Sequence, residues 1–91
     1  MYTPWGMSDG QKRLADGIIS YSTPSHGGIH VEEDLNQKIH SAWRSESGWY
    51  EEDCDWAIVA FHFPEAFPAN DYAKAIDCLK NWHPYGYMRV T

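Results

Sequence analysis

The sequence predicts an α+β domain, a small antiparallel β-hairpin or sheet packed against two helices, and three observations carry that expectation. A β-branched, partly alternating run over residues 17–31 is interrupted by Pro24 and a glycine pair, the pattern of a hairpin. The stretch from Trp49 to Phe63 has an acidic first half and an apolar second half, and reads as one helix over residues 49–63. Tyr72, Ala75, Ile76, Leu79 and Trp82 recur at helical spacing between Asn70 and Pro84, predicting a second helix over residues 71–82.

Taken in order, residues 2–10 read as an arm. Thr3-Pro4-Trp5-Gly6 has turn chemistry around a large anchor, and Ser8-Asp9-Gly10 has the composition of a second turn. Trp5 is expected to dock the arm on the core. In the hairpin, Gly17-Ile18-Ile19-Ser20-Tyr21-Ser22-Thr23 and Ile29-His30-Val31 form the strands around Ser25-His26-Gly27-Gly28, whose glycines permit positive φ in the turn. Residues 32–38 fit one or two helical turns with Leu35 and Ile39 inward, and Trp43 is a core anchor.

In the central stretch, Tyr50, Cys54, Ala57, Ile58 and Phe61 would share one helical face. Glu51, Glu52 and Asp53 would fall in the first turn, where the helix dipole favours carboxylates. Ser47 or Gly48 would cap the helix, and Pro64 would end it. The competing reading is a buried strand over Trp56 to Phe63, which the two alanines and the acidic lead-in disfavour. Asn70 caps the second helix, and residues 85–91 fit a final edge strand.

At 91 residues the chain makes a single domain, 1–91, with no linker or internal repeat. Five tryptophans supply a large burial payload for that length. No run reaches the roughly 18–20 apolar residues that span a bilayer, and the N-terminal residues lack a signal-peptide pattern, so a cytoplasmic, membrane-free setting is expected. Cys54 and Cys78 then read as free thiols, with a bridge as the minority reading. The net charge is −6, and the seven basic residues are scattered. Direct nucleic-acid binding needs a basic stripe that is lacking. The acidic groups Glu32-Glu33-Asp34 and residues 51–55 instead admit a basic protein surface as partner.

Thr3-Pro4-Trp5-Gly6, Tyr21-Ser22-Thr23-Pro24-Ser25-His26-Gly27-Gly28 and the run from Gly48 to Val59 resemble an uncharacterised small domain family of phage and plasmid proteins. The resemblance covers residues 3–67. It implies a mobile genetic element in a bacterial cytoplasm, where small acidic proteins inhibit or mimic components of host defence. The family has no established activity, so no catalytic residue is implied.

Two candidate sites emerge. The first is an interaction patch of Trp49, Tyr50, Glu51, Glu52, Asp53, Asp55 and Trp56, in which aromatic anchors lie beside carboxylates as in protein-binding hot spots. Glu51 and Asp55, one helical turn apart, would need a burial-raised pKa to act as an acid–base pair. The second is a ligand site on Tyr21, Ser25, His26, Gly27 and Gly28, working with residues 51–55. Cys54 is a poor nucleophile beside four carboxylates, which oppose the thiolate. His26 and His30 lack a metal-binding spacing, and no cofactor motif is present, so neither metal nor cofactor is expected. His62 should sit near the carbonyls at its helix end.

The leading expectation is therefore a small acidic interaction protein directed at a basic host protein, such as a defence or nucleic-acid-binding protein. The alternative is a small enzyme or ligand-binding domain that uses the turn at His26 and the acidic segment.

Overall fold

Alternating side chains build the centre of the protein. Strands β3 (Gly10–Ala15), β4 (Ile18–Ser22), β5 (Gly27–Val31) and β6 (Trp49–Glu51) form a four-stranded antiparallel sheet in the order β3-β4-β5-β6. This computed structural model describes residues 2–83 and 87–88. The register pairs Ile18 with Val31 and Ser20 with Ile29, so these share one face; Ile19 pairs with His30 and Tyr21 with Gly28 on the other. The first face carries Ile18, Ile29 and Val31 into the core, each at most 5 % exposed. Against it lie α2 (Trp56–His62), a 3-10 turn (Pro64–Ala66) and α3 (Asp71–Trp82). Burying a side chain such as Ile18 or Leu79 stabilises the fold by about 1.5–3 kcal/mol. The α+β class and the hairpin therefore stand as the sequence predicts.

The arm folds into a two-stranded ribbon, β1 (Tyr2–Thr3) with β2 (Gly6–Met7). Gly6 takes φ +117°, which a side chain would disfavour, and buried Thr3 accepts the Trp5 amide and donates to the Gly6 carbonyl. Trp5 docks over Gly28, where any added Cβ would lie 2.2 Å from its ring. Its ring meets Trp49 edge-on at 5.7 Å, and Trp49 in turn contacts Tyr21 and His30.

The central stretch departs from the predicted single helix. Trp49–Glu51 is a strand, residues 52–55 are turns, and only Trp56–His62 is helical. Two local facts explain this. Gly48 sits at φ +82°, which breaks a helix there instead of capping it, and its carbonyl accepts the Val31 amide at 2.9 Å. The open edge of β5 then satisfies the backbone of Trp49 to Glu51, pairing His30 with Trp49, Ile29 with Tyr50 and Gly28 with Glu51. Tyr50 enters the core at 1 % exposure as a strand residue. No carboxylate lies in the first turn of α2, so the dipole argument for Glu51, Glu52 and Asp53 does not apply. Glu51 and Asp55 are consequently not on one helical face.

The hairpin turn also differs in its chemistry. Gly27 and Gly28 belong to β5 and do not take positive φ. Thr23 closes the turn: its hydroxyl donates to the His26 carbonyl and accepts the His26 amide. The glycines are instead needed for space, since a Cβ on Gly27 would lie 2.8 Å from the Glu52 carboxylate. Strand β3 lies before the predicted hairpin, over residues to which the sequence assigned no strand, and a bulge between Arg13 and Ala15 shifts its register.

The short helix α1 (Glu33–Asn36) and the buried Ile39 and Trp43 match expectation. On α3, Ala75 and Leu79 are fully buried, whereas Tyr72 is 40 % and Trp82 73 % exposed; the helix presents a narrower stripe to α2 than its apolar pattern suggests. Asn70 holds the N-cap position without a side-chain cap bond. The predicted edge strand over residues 85–91 lies largely outside the described residues. Tyr87 and Met88 are helical, and the Tyr87 amide donates to the His83 carbonyl at 2.9 Å.

Candidate functional site

The sheet and helical layer do not close fully against each other. Between them lies a cavity of about 410 Å³, within the roughly 300–1,000 Å³ typical of ligand pockets. Its floor is the core-side face of the sheet, through Leu14 near the β3 bulge, Ser20 on β4 and Ile29 on β5, with the backbone of Gly28 at its edge. Trp56, at the first turn of α2, and Phe67, after the 3-10 turn, form an apolar wall with ring centroids 6.1 Å apart. Glu52 from the turn after β6, with Asp71 and Lys74 from the first turn of α3, completes the lining. Asp71 and Lys74 are three apart, which puts both on one side of that helix.

The electrostatics are uneven. Among the described residues Arg13 forms an ion pair with Asp16 at 2.9 Å, and His83 Nε2 lies within hydrogen-bond distance of Asp55 Oδ1 at 3.2 Å, an ion pair only when the imidazole is protonated. Glu51, Glu52, Asp53, Asp71 and Lys74 therefore make no ion pair there. Glu52 is held by its backbone, whose amide donates to the Gly27 carbonyl at 3.0 Å. This bond brings the hairpin end and the acidic turn side by side. The cavity thus carries two carboxylates against one ammonium, facing two aromatic rings.

The sequence-predicted patch is divided by the sheet. Glu52 and Trp56 line the cavity. Trp49 and Glu51 alternate onto the opposite face, where Trp49 packs with Trp5, Tyr21 and His30. Tyr50 is in the core, so it offers no surface. Asp53 is exposed in the turn, and Asp55 is paired with His83. Of the second candidate set, Gly28 lines the cavity and Gly27 abuts Glu52, while Ser25 and His26 are exposed at the turn and Tyr21 points to the Trp49 face. Leu14, Ser20, Ile29, Phe67, Asp71 and Lys74 were not expected at a site. The hairpin and the helical spacing of Asp71 and Lys74 were legible, but the register that pairs Ser20 with Ile29 and the meeting of these residues across the layers were not.

The remaining reactive groups are restrained. Burial pushes the Cys54 thiol up to about 12, helped by the neighbouring Cys78 thiol and then by Asp55 and Asp53. That thiol is no nucleophile at neutral pH. Burial lowers the pKa of His62, against a raising effect of its bond to the Ile58 carbonyl and with a further lowering by His40. The Ile58 carbonyl lies 2.8 Å from Nδ1, so Nδ1 carries the proton and Nε2 accepts the His40 amide at 3.1 Å. No group of three or more metal-ligating side chains is assembled among the described residues. Nor, among them, is any helix long and apolar enough to cross a membrane.

The fold and cavity define a small α+β domain with a mixed-charge pocket between its sheet and its helical layer. The chain belongs to the family described as Domain of unknown function (DUF7007), whose profile matches residues 1–91. No curated protein and no solved structure matches it.

Proposed function

We propose that the domain is a non-enzymatic interaction module of a phage or plasmid, presenting an acidic, aromatic-flanked surface to a basic protein of the host cytoplasm. The observation that carries this reading is that Glu51, Glu52 and Asp53 have no Lys or Arg partner within the described chain, while Glu52 opens onto a cavity walled by Trp56 and Phe67. A carboxylate beside an aromatic face suits an incoming guanidinium or ammonium group, by charge pairing and by cation–π attraction. A host-defence or nucleic-acid-binding protein offers such groups in number, and occupying them would inhibit it.

Affinity capture from a bacterial host, followed by mass spectrometry and titration of the recovered partner, tests the reading. Reversing Glu51, Glu52 and Asp53 together to lysine is expected to abolish capture. Asp55 is left intact because it holds His83. Unchanged binding by a folded triple variant overturns the proposal.

The cavity favours a second reading, a ligand-binding domain for a small molecule with an apolar body and a cationic end. It brings together Gly28 and Glu52, one residue from each of the two segments named for that site, while Tyr21, Ser25 and His26 lie outside it. Saturable quenching of tryptophan fluorescence by a small aromatic amine, lost in Glu52→Gln with the fold intact, would select this reading over a protein partner.

A further inference from the structure

Cys54 lies in the turn between β6 and α2, and Cys78 on the buried side of α3. Their sulfurs are 2.8 Å apart. That is well inside the roughly 3.5–4 Å of ordinary non-bonded packing, and less than about 1 Å from the ~2.05 Å of a disulfide. Each sulfur also faces the other residue's carbonyl, Cys54 Sγ at 3.9 Å from the Cys78 oxygen and Cys78 Sγ at 3.7 Å from the Cys54 oxygen. The two thiols are thus aligned toward each other from two elements. Both residues are free and half-buried, so a small reagent has access to the pair.

We propose that Cys54 and Cys78 are a modification site, at which a small-molecule disulfide converts the two thiols into an intramolecular cystine. The step balances as two exchanges. One cysteine thiolate attacks the reagent, forms a mixed disulfide and expels one reagent thiolate. The second cysteine loses its proton to solvent, attacks the cysteine sulfur of the mixed disulfide and expels the second reagent thiolate. Two protein thiols are oxidised and one reagent disulfide is reduced to two thiols. When Cys54 makes the first attack that exchange is slow, because the burial and carboxylates around it keep its thiolate scarce. The second is intramolecular between sulfurs already in place, so the mixed disulfide does not accumulate.

The cross-link ties together two walls of the cavity. Glu52 and Trp56 flank Cys54 in the chain, and Lys74 lies one helical turn before Cys78. Otherwise α3 is held in the described structure by packing and by the contact of His83 with Asp55. Oxidation would fix the position of Asp71 and Lys74 relative to Glu52. This consequence bears on the binding reading above, but the cross-link itself is measured without any ligand.

The whole chain is incubated for hours with excess oxidised glutathione at mild alkaline pH, quenched in acid, denatured, and examined by thiol titration and intact mass. Both thiols should disappear together, with loss of two hydrogens and no glutathione adduct. The oxidised protein should melt higher by roughly 10 °C or more and return to its first value on reduction. Cys54→Ser and Cys78→Ser should each retain one sulfur as thiol or stable glutathione adduct. A persistent adduct on the wild-type chain, disulfide-linked dimers, or an unreactive folded chain whose denatured form does oxidise would each overturn the proposal. So would a cross-linked monomer that melts no higher than the reduced one.

Discussion

The protein has two acidic clusters, each beside a cavity, and they differ in everything but charge. Glu33, from the cluster at residues 32–34, borders a cavity of about 280 Å³ whose other lining residues are Val31, Asn36, Gln37, Glu46, Ser47 and Gly48. Glu33 and Asp34 lie in the first turn of α1, where carboxylates stabilise the helix, and that position alone accounts for them. Glu52, from the cluster at residues 51–55, follows a strand and has no such helix-end role. Its cavity is walled by Trp56, Phe67, Leu14 and Ile29 and contains the Lys74 ammonium, which makes no ion pair among the described residues. A carboxylate run near a polar hollow is ordinary surface. The same run beside aromatic rings, in a larger hollow, can desolvate and hold an organic cation.

Both clusters are rooted in one buried network, and cutting it should have the largest effect. The Tyr50 hydroxyl donates to Asn36 Oδ1 and accepts the Ser45 amide at 3.0 Å, while Asn36 Nδ2 donates to the Ser45 carbonyl at 2.7 Å. Asn36 ends α1, and Tyr50 lies two residues before Glu52. Tyr50→Ala removes a fully buried ring and should cost about 4 kcal/mol in urea unfolding. Tyr50→Phe keeps the ring but orphans an acceptor and a donor, and should cost about 2 kcal/mol. In Tyr50→Phe the damage should appear at Asn36 and Ser45, beside the smaller cavity. Amide shifts confined to that side would show that the two cavities are separable, and equal shifts around Trp56 would show that they are not.

Charge reversal tests the contrast itself. Glu52→Lys should weaken binding of a captured basic partner by about tenfold or more, equivalent to ~1.4 kcal/mol. Glu33→Lys, which has the same formal change, should alter it by less than about twofold at physiological salt, where a charge on another surface is screened. Equal losses in the two variants, measured by calorimetry, would mean that net charge matters and the cavity does not.

The contrast was only partly legible in the sequence. Hairpin residues 17–31 and α3 were readable because their periodicities are unmixed and their ends are marked by Pro24, Asn70 and Pro84. The stretch from Trp49 to Phe63 was not, because Tyr50, Cys54, Ala57 and Ile58 satisfy helical spacing by coincidence. What decides that stretch is the vacant edge of β5, twenty residues earlier in the chain, together with positive φ at Gly48. Local propensity cannot register a distant strand seeking a partner. The acidic, aromatic character of residues 51–56 was visible, but its division was not. Once Trp49 to Glu51 pairs as a strand, alternation sends Trp49 to one face and Tyr50 to the other, and the turn at residues 52–55 carries Glu52 toward Gly27. Phe67, Asp71 and Lys74 reach the cavity only through packing of the helical layer on the sheet.

The smallest expected effect is a dependence on pH that comes from neither cluster. His62 and His30 both have lowered pKa values in the fold, each chiefly through burial. An unfolded histidine takes its proton near pH 6.5. As pH falls below that value, the unfolded chain binds protons that the folded chain refuses, so stability falls until the lowered folded pKa values are passed. Stability from these groups is thus complete above about pH 6.5 and is lost on acidification. For His62 the cause is local, because protonating Nε2 destroys its acceptance of the His40 amide, which joins α2 to the segment after α1. Urea midpoints measured between pH 7.5 and 5 should decline gently, and His62→Gln should flatten part of that decline while lowering the midpoint at pH 7.5. A decline that persisted unchanged in a folded His62→Gln would show that His62 is not its source.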